Sequence, residues 1–386
     1  MLAALALSAA VAAPVVDWLA LPIASYNSDD GLAGGVVVQA QWLGRTSPYN
    51  AALGAQVLFS TAGIQSHYLR LDVPRLFGTP LRMWLGAEFH RELNAPYYGL
   101  GNETSSSVTG RSDLAPCPPG NLNPAAPCIG GEHPFTYLRR YPQGNIAFTL
   151  PFSTSGVRLS AFARYLNLHI ETYDGSLLAA ERPPGSDGGE ELSFGFGLLV
   201  DRRRGEAMPT GGYLLEAALR GSEKGMASQH TYLGGTARAM GFVPIGSRIV
   251  LAARLEADAL TPGTPLFELS RFGGVDPVEG VGGERSVRGI PKARFIGRVK
   301  ALGNVETRVR VADARLFDRR VSFGAVAFLD SGRVWQLQGN DGAFFDWHNG
   351  AGGGLRIYHR EFVIRLDVGT SSERGANFYI TFGSMF

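Results

Sequence analysis

Hydrophobic and polar residues alternate along most of this chain with a period of two. In Phe362-Val363-Ile364-Arg365-Leu366-Asp367-Val368, one face carries Phe362, Ile364, Leu366 and Val368, and the other includes Arg365 and Asp367. In Asn304-Val305-Glu306-Thr307-Arg308-Val309-Arg310-Val311, the polar face is Asn304, Glu306, Arg308 and Arg310. Successive side chains of a β-strand point to opposite faces, so each segment predicts a strand with one apolar and one charged side. Two architectures accept that pattern. A soluble sandwich turns the charges to bulk water, whereas a membrane barrel turns them into its lumen and presents the apolar side to lipid. Length separates the two. A tilted membrane strand needs about 9–11 residues, against about 5–6 for a globular strand, and most segments here reach the longer span.

Sixteen candidate strands begin near Trp18, Leu32, Ala51, Gln65, Leu81, Phe135, Val157, Glu190, Gly212, Gln229, Ser247, Gly303, Val321, His348, Phe362 and Asn377. The strand from Val157 loses its alternation around Tyr165, which predicts a bulge. The connections fall into two classes. Short ones occupy 45–50, 74–80, 153–156, 244–246 and 359–361, and long ones occupy 94–134, 174–189 and 261–296. Short turns at one end and long loops at the other are the asymmetry of outer-membrane barrels, and an even strand count puts both termini on one side. The expected fold is therefore all-β: a transmembrane antiparallel β-barrel of about 16 strands, with long extracellular loops and short periplasmic turns.

The last strand supports closure. Counting back from Phe386, alternate positions read Phe386, Ser384, Phe382, Ile380 and Phe378. A bare aromatic edge invites aggregation in water, whereas a closed barrel has no edge. The strand is expected to pair with the one that starts near Trp18.

Composition adds exclusions. The chain has 386 residues, 51 of them Gly, with 36 basic and 34 acidic side chains, so net charge offers no case for a nucleic-acid partner. Beyond the N-terminus there is no apolar run of about 20 residues, which excludes a helical membrane protein. Residues 1–13 are rich in Leu and Ala and end in Ser8-Ala9-Ala10-Val11-Ala12-Ala13, which resembles the cleavage site of a signal peptide. No Lys or Arg precedes Arg45, so either the true start lies upstream or the signal is atypical. Pro14, Asp17 and Pro22 argue against a membrane helix there, and the mature barrel domain is expected to span 14–386. Cys117 and Cys128 read as a disulfide within one long loop of an exported protein, with two unrelated thiols as the alternative.

A family resemblance emerges from motifs in order along the chain. Gly282-Gly283-Glu284-Arg285-Ser286-Val287-Arg288-Gly289-Ile290-Pro291 contains a Val-Arg-Gly core similar to the sixth-loop motif of the Omp85 superfamily. Tyr97-Tyr98-Gly99-Leu100-Gly101-Asn102 resembles a segment of that family's surface-antigen (D15) branch. Asp201-Arg202-Arg203 followed by Pro209-Thr210-Gly211-Gly212 resembles its Asp-Xaa-Arg…Pro…Gly turn. Phe328-Leu329-Asp330-Ser331-Gly332-Arg333-Val334-Trp335, Gly352-Gly353-Gly354-Leu355-Arg356 and the terminal aromatic strand complete the series. Ile290 stands where the family usually has an aromatic residue. Members usually carry POTRA domains ahead of the barrel, and this chain looks like a member without that extension.

The resemblance implies specific roles. The sixth loop folds back into the lumen, where Val287, Arg288 and Gly289 form a latch, with Glu306 and Asp330 as the wall acids that receive Arg288. Gly289, Gly273-Gly274 and Gly282-Gly283 are candidates for turns with positive φ. Phe382 and terminal Phe386 look like the signal read by the barrel-assembly machinery. The implied function is insertion or translocation of proteins, or lipid, at the outer membrane of a Gram-negative bacterium, through a weak seam between first and last strands. A separate periplasmic accessory protein would supply what POTRA domains normally do. Other expected partners are phospholipid and lipopolysaccharide, and a second copy of the chain. The alternatives are a structural or transport barrel and, in third place, an outer-membrane hydrolase. The seven His are scattered, with no Gly-Xaa-Ser-Xaa-Gly elbow and no metal-type His pair, so no catalytic residue, metal or cofactor is expected.

Overall fold

The computed structural model describes residues 15–44, 49–118, 120–121, 127–152, 156–205, 208–316, 319–337, 341–359, 362–383 and 385–386. The signal-like segment, Pro14 and Ser384 lie outside these described residues. Sixteen antiparallel strands form one closed barrel in sequential order. They are β1 (Val15–Asn27), β2 (Gly31–Leu43), β3 (Ala51–Ser60), β4 (Gln65–Val73), β5 (Arg82–Pro96), β6 (Thr136–Pro151), β7 (Val157–Thr172) and β8 (Gly188–Asp201). The second half comprises β9 (Gly212–Ser222), β10 (Tyr232–Ile245), β11 (Ile249–Leu260), β12 (Val299–Leu316), β13 (Arg319–Trp335), β14 (His348–His359), β15 (Phe362–Ser371) and β16 (Asn377–Phe382). Each strand starts within four residues of its sequence-predicted position; the largest shifts are at β12, then equally at β1 and β10.

Alternation sets the two faces of the wall. On β11, Leu255 is 66 % exposed on the outside, while Arg254 and Glu256 on either side of it are 1 % and 3 % exposed within. Phe196, Leu329 and Leu355 likewise face outward. Such an outer band has no place in water at this extent, and lipid is the solvent that matches it. No described helix is long and apolar enough to cross a membrane.

The expected bulge at Tyr165 is not formed. β7 pairs with β6 and β8 in continuous register across that position. The irregularities lie instead at Glu92/Ala95 between β5 and β6, and at Arg310/Ala312 between β12 and β13. What changes at Tyr165 is the environment. Leu166, Leu168 and Ile170 point inward into an apolar cluster with Tyr97, Leu177, Leu266 and Ile296, while His169 and Glu171 face out. Near the long-loop end the lumen is filled by folded loops, so the polarity of the two faces exchanges without any slip of register.

A second correction concerns the terminus. Simple alternation puts Phe382 and Phe386 on one face. Phe382 is exposed on the outer wall, but Gly383 adopts φ +89° and the chain turns inward, so Phe386 is buried against Phe242 and Ala252. The strand ends before the tail because a left-handed residue breaks the pleat.

Closure between β1 and β16 is narrow. Among the described residues, Tyr26 pairs with Ile380 and Asn27 with Tyr379 and no other positions pair there, whereas β15 and β16 share six paired positions. The partner of β16 is the strand expected from sequence, engaged only at its long-loop tip.

Because Leu255 lies mid-strand on the lipid face, Leu255→Arg should destabilise the barrel by about 2–4 kcal/mol. Urea-midpoint measurements of the protein folded in phospholipid vesicles test this, and an unchanged midpoint would place Leu255 off the lipid face.

Candidate functional site

The segment 261–298 between β11 and β12 enters the lumen and is tied to the wall along its length. Its first turn is the helix Leu266–Leu269, whose Glu268 is fully buried. Glu268 accepts from Arg164 on β7 and, at 3.1 Å each, faces Arg220 on β9 and Arg271. Arg220 also holds Asp258 at 2.7 Å, which Lys300 approaches at 3.0 Å. Next, Arg271–Phe272 pairs with Val278–Glu279, and the bend between them is fastened from the wall. Glu216 accepts from the Val275 amide (2.7 Å), and Arg238 donates to the Asp276 carbonyl (2.8 Å).

The tip follows. Val287 and Ile290 are buried among Phe272, Val278, Val281, Phe295, Leu302 and Val334. The aliphatic Ile290 therefore fills the space in an apolar pocket. Between them Arg288 is fully buried. Its Nε and Nη2 donate to the two oxygens of Asp330 (2.7 and 3.0 Å), and its own amide donates to Asp330 Oδ2 (3.1 Å). Its Nη1 donates to Glu306 (2.7 Å) and lies 3.5 Å from Asp367. The guanidinium also lies over the Phe328 ring, 3.5 Å from its centre. A planar fork with five donors suits this bidentate arrangement, and Lys does not supply it.

The acids are shared. Glu306 receives Arg308 (2.7 Å), and Asp367 receives both Nη atoms of Arg356 (2.5 and 3.2 Å). Asn304 donates to Asp330 Oδ1 (2.7 Å) and to the Ser286 carbonyl (2.6 Å). Arg288, Arg308 and Arg356, with Arg365 3.9 Å from Asp367, thus meet three buried carboxylates. Such a cluster depends on every member, because a charge left alone inside is costly.

Backbone proximity completes the fit. Gly289 has φ +95°, and a Cβ there would meet the Thr370 backbone at 2.7 Å. A Cβ on Gly350 of β14 would lie 1.9 Å from the Arg288 carbonyl oxygen. Gly274, Gly282 and Gly283 also take positive φ, whereas Gly273 does not.

The other sequence motifs surround this site. Tyr97 donates to Glu181 (2.5 Å), the Gly101 amide donates to the Ile296 carbonyl (2.7 Å), and Asn102 bridges Asp346 and the Val334 amide. Asp201 accepts from the Arg203 amide and side chain in the turn after β8. Cys117 and Cys128 are joined, with Cα atoms 4.9 Å apart, beside a short parallel ladder of Ala115–Pro116 with Cys128–Ile129. Phe386 lies in the opposite end of the lumen, about equally close to Arg308 and Arg254 (5.0 and 5.2 Å to the ring centre).

Val287, Arg288, Gly289, Glu306 and Asp330 are thus brought together. Sequence reasoning did not single out Asp367, Asn304, Gly350 or Lys292. Alternation in β15 placed Asp367 on the polar face, and nothing local marked it as a partner of a loop 79 residues away.

A closed antiparallel barrel with an apolar outer wall and a loop latched inside by a buried arginine is an outer-membrane barrel with an inserted loop. The Omp85 superfamily domain matches residues 137–386, and the chain belongs to that superfamily. Among solved structures, it is similar to BamA from Haemophilus ducreyi lacking POTRA domains 1–3, with TM-score 0.56 and 12% identity, over 96% of this chain and 70% of that one. CdiB from Escherichia coli gives TM-score 0.59 and 12% identity, covering 95% and 62%. CdiB from Acinetobacter baumannii gives 0.51 and 13%, covering 96% and 65%. The chain therefore spans less than two thirds of either CdiB, and at these identities the likeness shows the fold. No curated protein sequence matches the chain.

Arg288→Glu places a fourth carboxylate among three, and loss of one member of such a buried cluster costs about 3–5 kcal/mol. The tip should leave its site and become cleavable by trypsin at Lys292 and Arg294, both buried in the wild type; unchanged resistance to cleavage would rule out the latch.

At the β1–β2 turn, Asp29 accepts from Arg374 (2.8 Å) and the Lys292 amide (3.1 Å), with Asp30, Tyr98 and Tyr379 nearby. Burial, then the Asp30 charge, push its carboxyl up to about 6 from 3.8. A carboxyl raised on folding favours the folded state below its unfolded value and loses that contribution as pH rises through 6. Asp29→Asn should therefore flatten the stability profile between pH 4 and 7, as read from urea midpoints.

Proposed function

We propose that this barrel inserts or translocates protein, or lipid, at the outer membrane of a Gram-negative bacterium by parting β1 from β16. The observation that supports it is the seam. Among the described residues two positions pair there, against six in the next-narrowest junction, β15–β16, which makes the β1–β16 junction the weakest of the wall. Exposed strand edges on either side would offer hydrogen bonds to an incoming strand. Omp85 barrels work with partner proteins, and here a separate periplasmic accessory protein would deliver the client. Phospholipid and lipopolysaccharide would solvate the outer wall, and self-association is open to the same surface.

Phe382 and Phe386 are proposed as the signal read during the protein's own assembly. In that reading the tail is recognised before Gly383 turns Phe386 into the lumen. Val287, Arg288 and Gly289, with Glu306 and Asp330, are proposed as the latch that sets the working position of the loop.

A structural or transport barrel is the second reading, supported by the fact that β1 and β16 do meet and close the wall. A hydrolase would require turnover that a single lumen substitution abolishes.

The test is to lock the seam. Tyr26→Cys with Ile380→Cys, joined by a short bis-maleimide, should abolish insertion of a reporter barrel into phospholipid vesicles, while either single variant treated alike stays active. Full activity of the locked protein would sink the seam reading, and steady conductance without insertion would favour transport.

A further inference from the structure

The loop tip that carries Arg288 also touches both banks of the seam. On one bank, the Gly289 amide donates to the Tyr379 hydroxyl of β16 (3.0 Å). The Gly289 carbonyl accepts from Asn377 Nδ2 of β16 (2.7 Å) and from Ser371 Oγ at the end of β15 (2.7 Å). Three residues on, Lys292 holds the other bank. Its amide donates to Asp29 in the β1–β2 turn, and its Nζ lies 3.4 Å from Asp30 and 3.1 Å from Glu92 of β5. Asn377, Tyr379, Lys292 and Glu92 are all buried, so these bonds are shielded from competing water. The strand ladder adds two paired positions, extended by the Ser28 amide donating to the Phe378 carbonyl (3.2 Å) and Arg374 reaching Asp29 from outside.

We propose that residues 289–292 are a staple that holds the seam shut at the long-loop end, so that the seam opens when the loop tip withdraws. The inference rests on the reading that this seam is where the barrel parts, and it names what controls that event. Arg288 sits next to Gly289 and is bound to β12, β13 and β15. Latch and staple therefore release in one movement: a tip that leaves Asp330 also leaves Tyr379 and Asp29. The device makes the seam responsive to anything that pulls the loop outward or lifts it from below, without any change in the strands themselves.

The experiment uses the full chain in phosphatidylcholine vesicles, with spin labels at Ala24 on β1 and Thr370 on β15, both outward and exposed. Electron–electron distance measurements should give one narrow distance in the otherwise unaltered protein. Lys292→Met and Tyr379→Phe, each alone, should add a longer component, and the double variant should make that component dominant. Leu255→Arg, on the wall away from the seam, should destabilise the barrel yet keep the single distance. Tyr379→Phe deletes one oxygen, so it remains informative if Lys292→Met does not fold. A single narrow distance in Tyr379→Phe and in any folded Lys292 variant would overturn the proposal and assign closure to the strand ladder. No client is present, so these distances can succeed or fail independently of the insertion assay.

Discussion

Arg288 is the charge on which the interior depends. A guanidinium with no exposure to water must find all its partners inside the protein, and it finds them on three strands and a ring face. Asp330, Glu306 and Asp367 in turn need Arg288, Arg308 and Arg356, because uncompensated carboxylates there are no easier to bury. The cluster is therefore as much a requirement of the wall as of the loop. With the loop withdrawn, β12, β13 and β15 would lose the guanidinium that bridges all three of their acids. That mutual need explains how a segment of nearly forty residues is held in one position without a long helix or strand of its own.

The same constraint shapes the rest of the lumen. Lipid outside forces charged side chains inward, and inward charges must be matched. The loop answers at several heights: Glu268 for Arg164 and Arg220, the Asp276 carbonyl for Arg238, Lys292 for Glu92. Toward the long-loop end the outer face meets water, so polarity reverses, and Leu166, Leu168 and Ile170 turn inward onto the folded loops. The interior thus passes from an ionic network to an apolar cap, and the loops form a large part of both.

Strength in the centre contrasts with weakness at the seam. The wall between β12 and β13 runs through a long ladder, whereas among the described residues β1 and β16 meet at Tyr26 and Asn27 only. A barrel with one short junction concentrates opening there, because hydrogen bonds are lost in proportion to the positions unpaired. The loop tip spans that junction, so the element that neutralises the wall is also positioned to regulate its weakest line.

Strand number, the two classes of connection and the inward charges were legible because they depend on period-two alternation and segment length, which are local. The Val287-Arg288-Gly289 motif and the acids Glu306 and Asp330 were legible through family resemblance, since nothing in their own neighbourhood couples a loop to a wall. Three features were decided only by the tertiary structure. Tyr165 keeps its register because polarity follows the surroundings, and the surroundings are loops distant in sequence. Phe386 turns inward because Gly383 breaks the strand and two arginines and Phe242 on other strands receive it. Lys292 reaches Asp29, 263 residues away, because closing the barrel brings the first turn to the last. Alternation records which way a side chain faces; what it meets there is set by the closed circle of the wall.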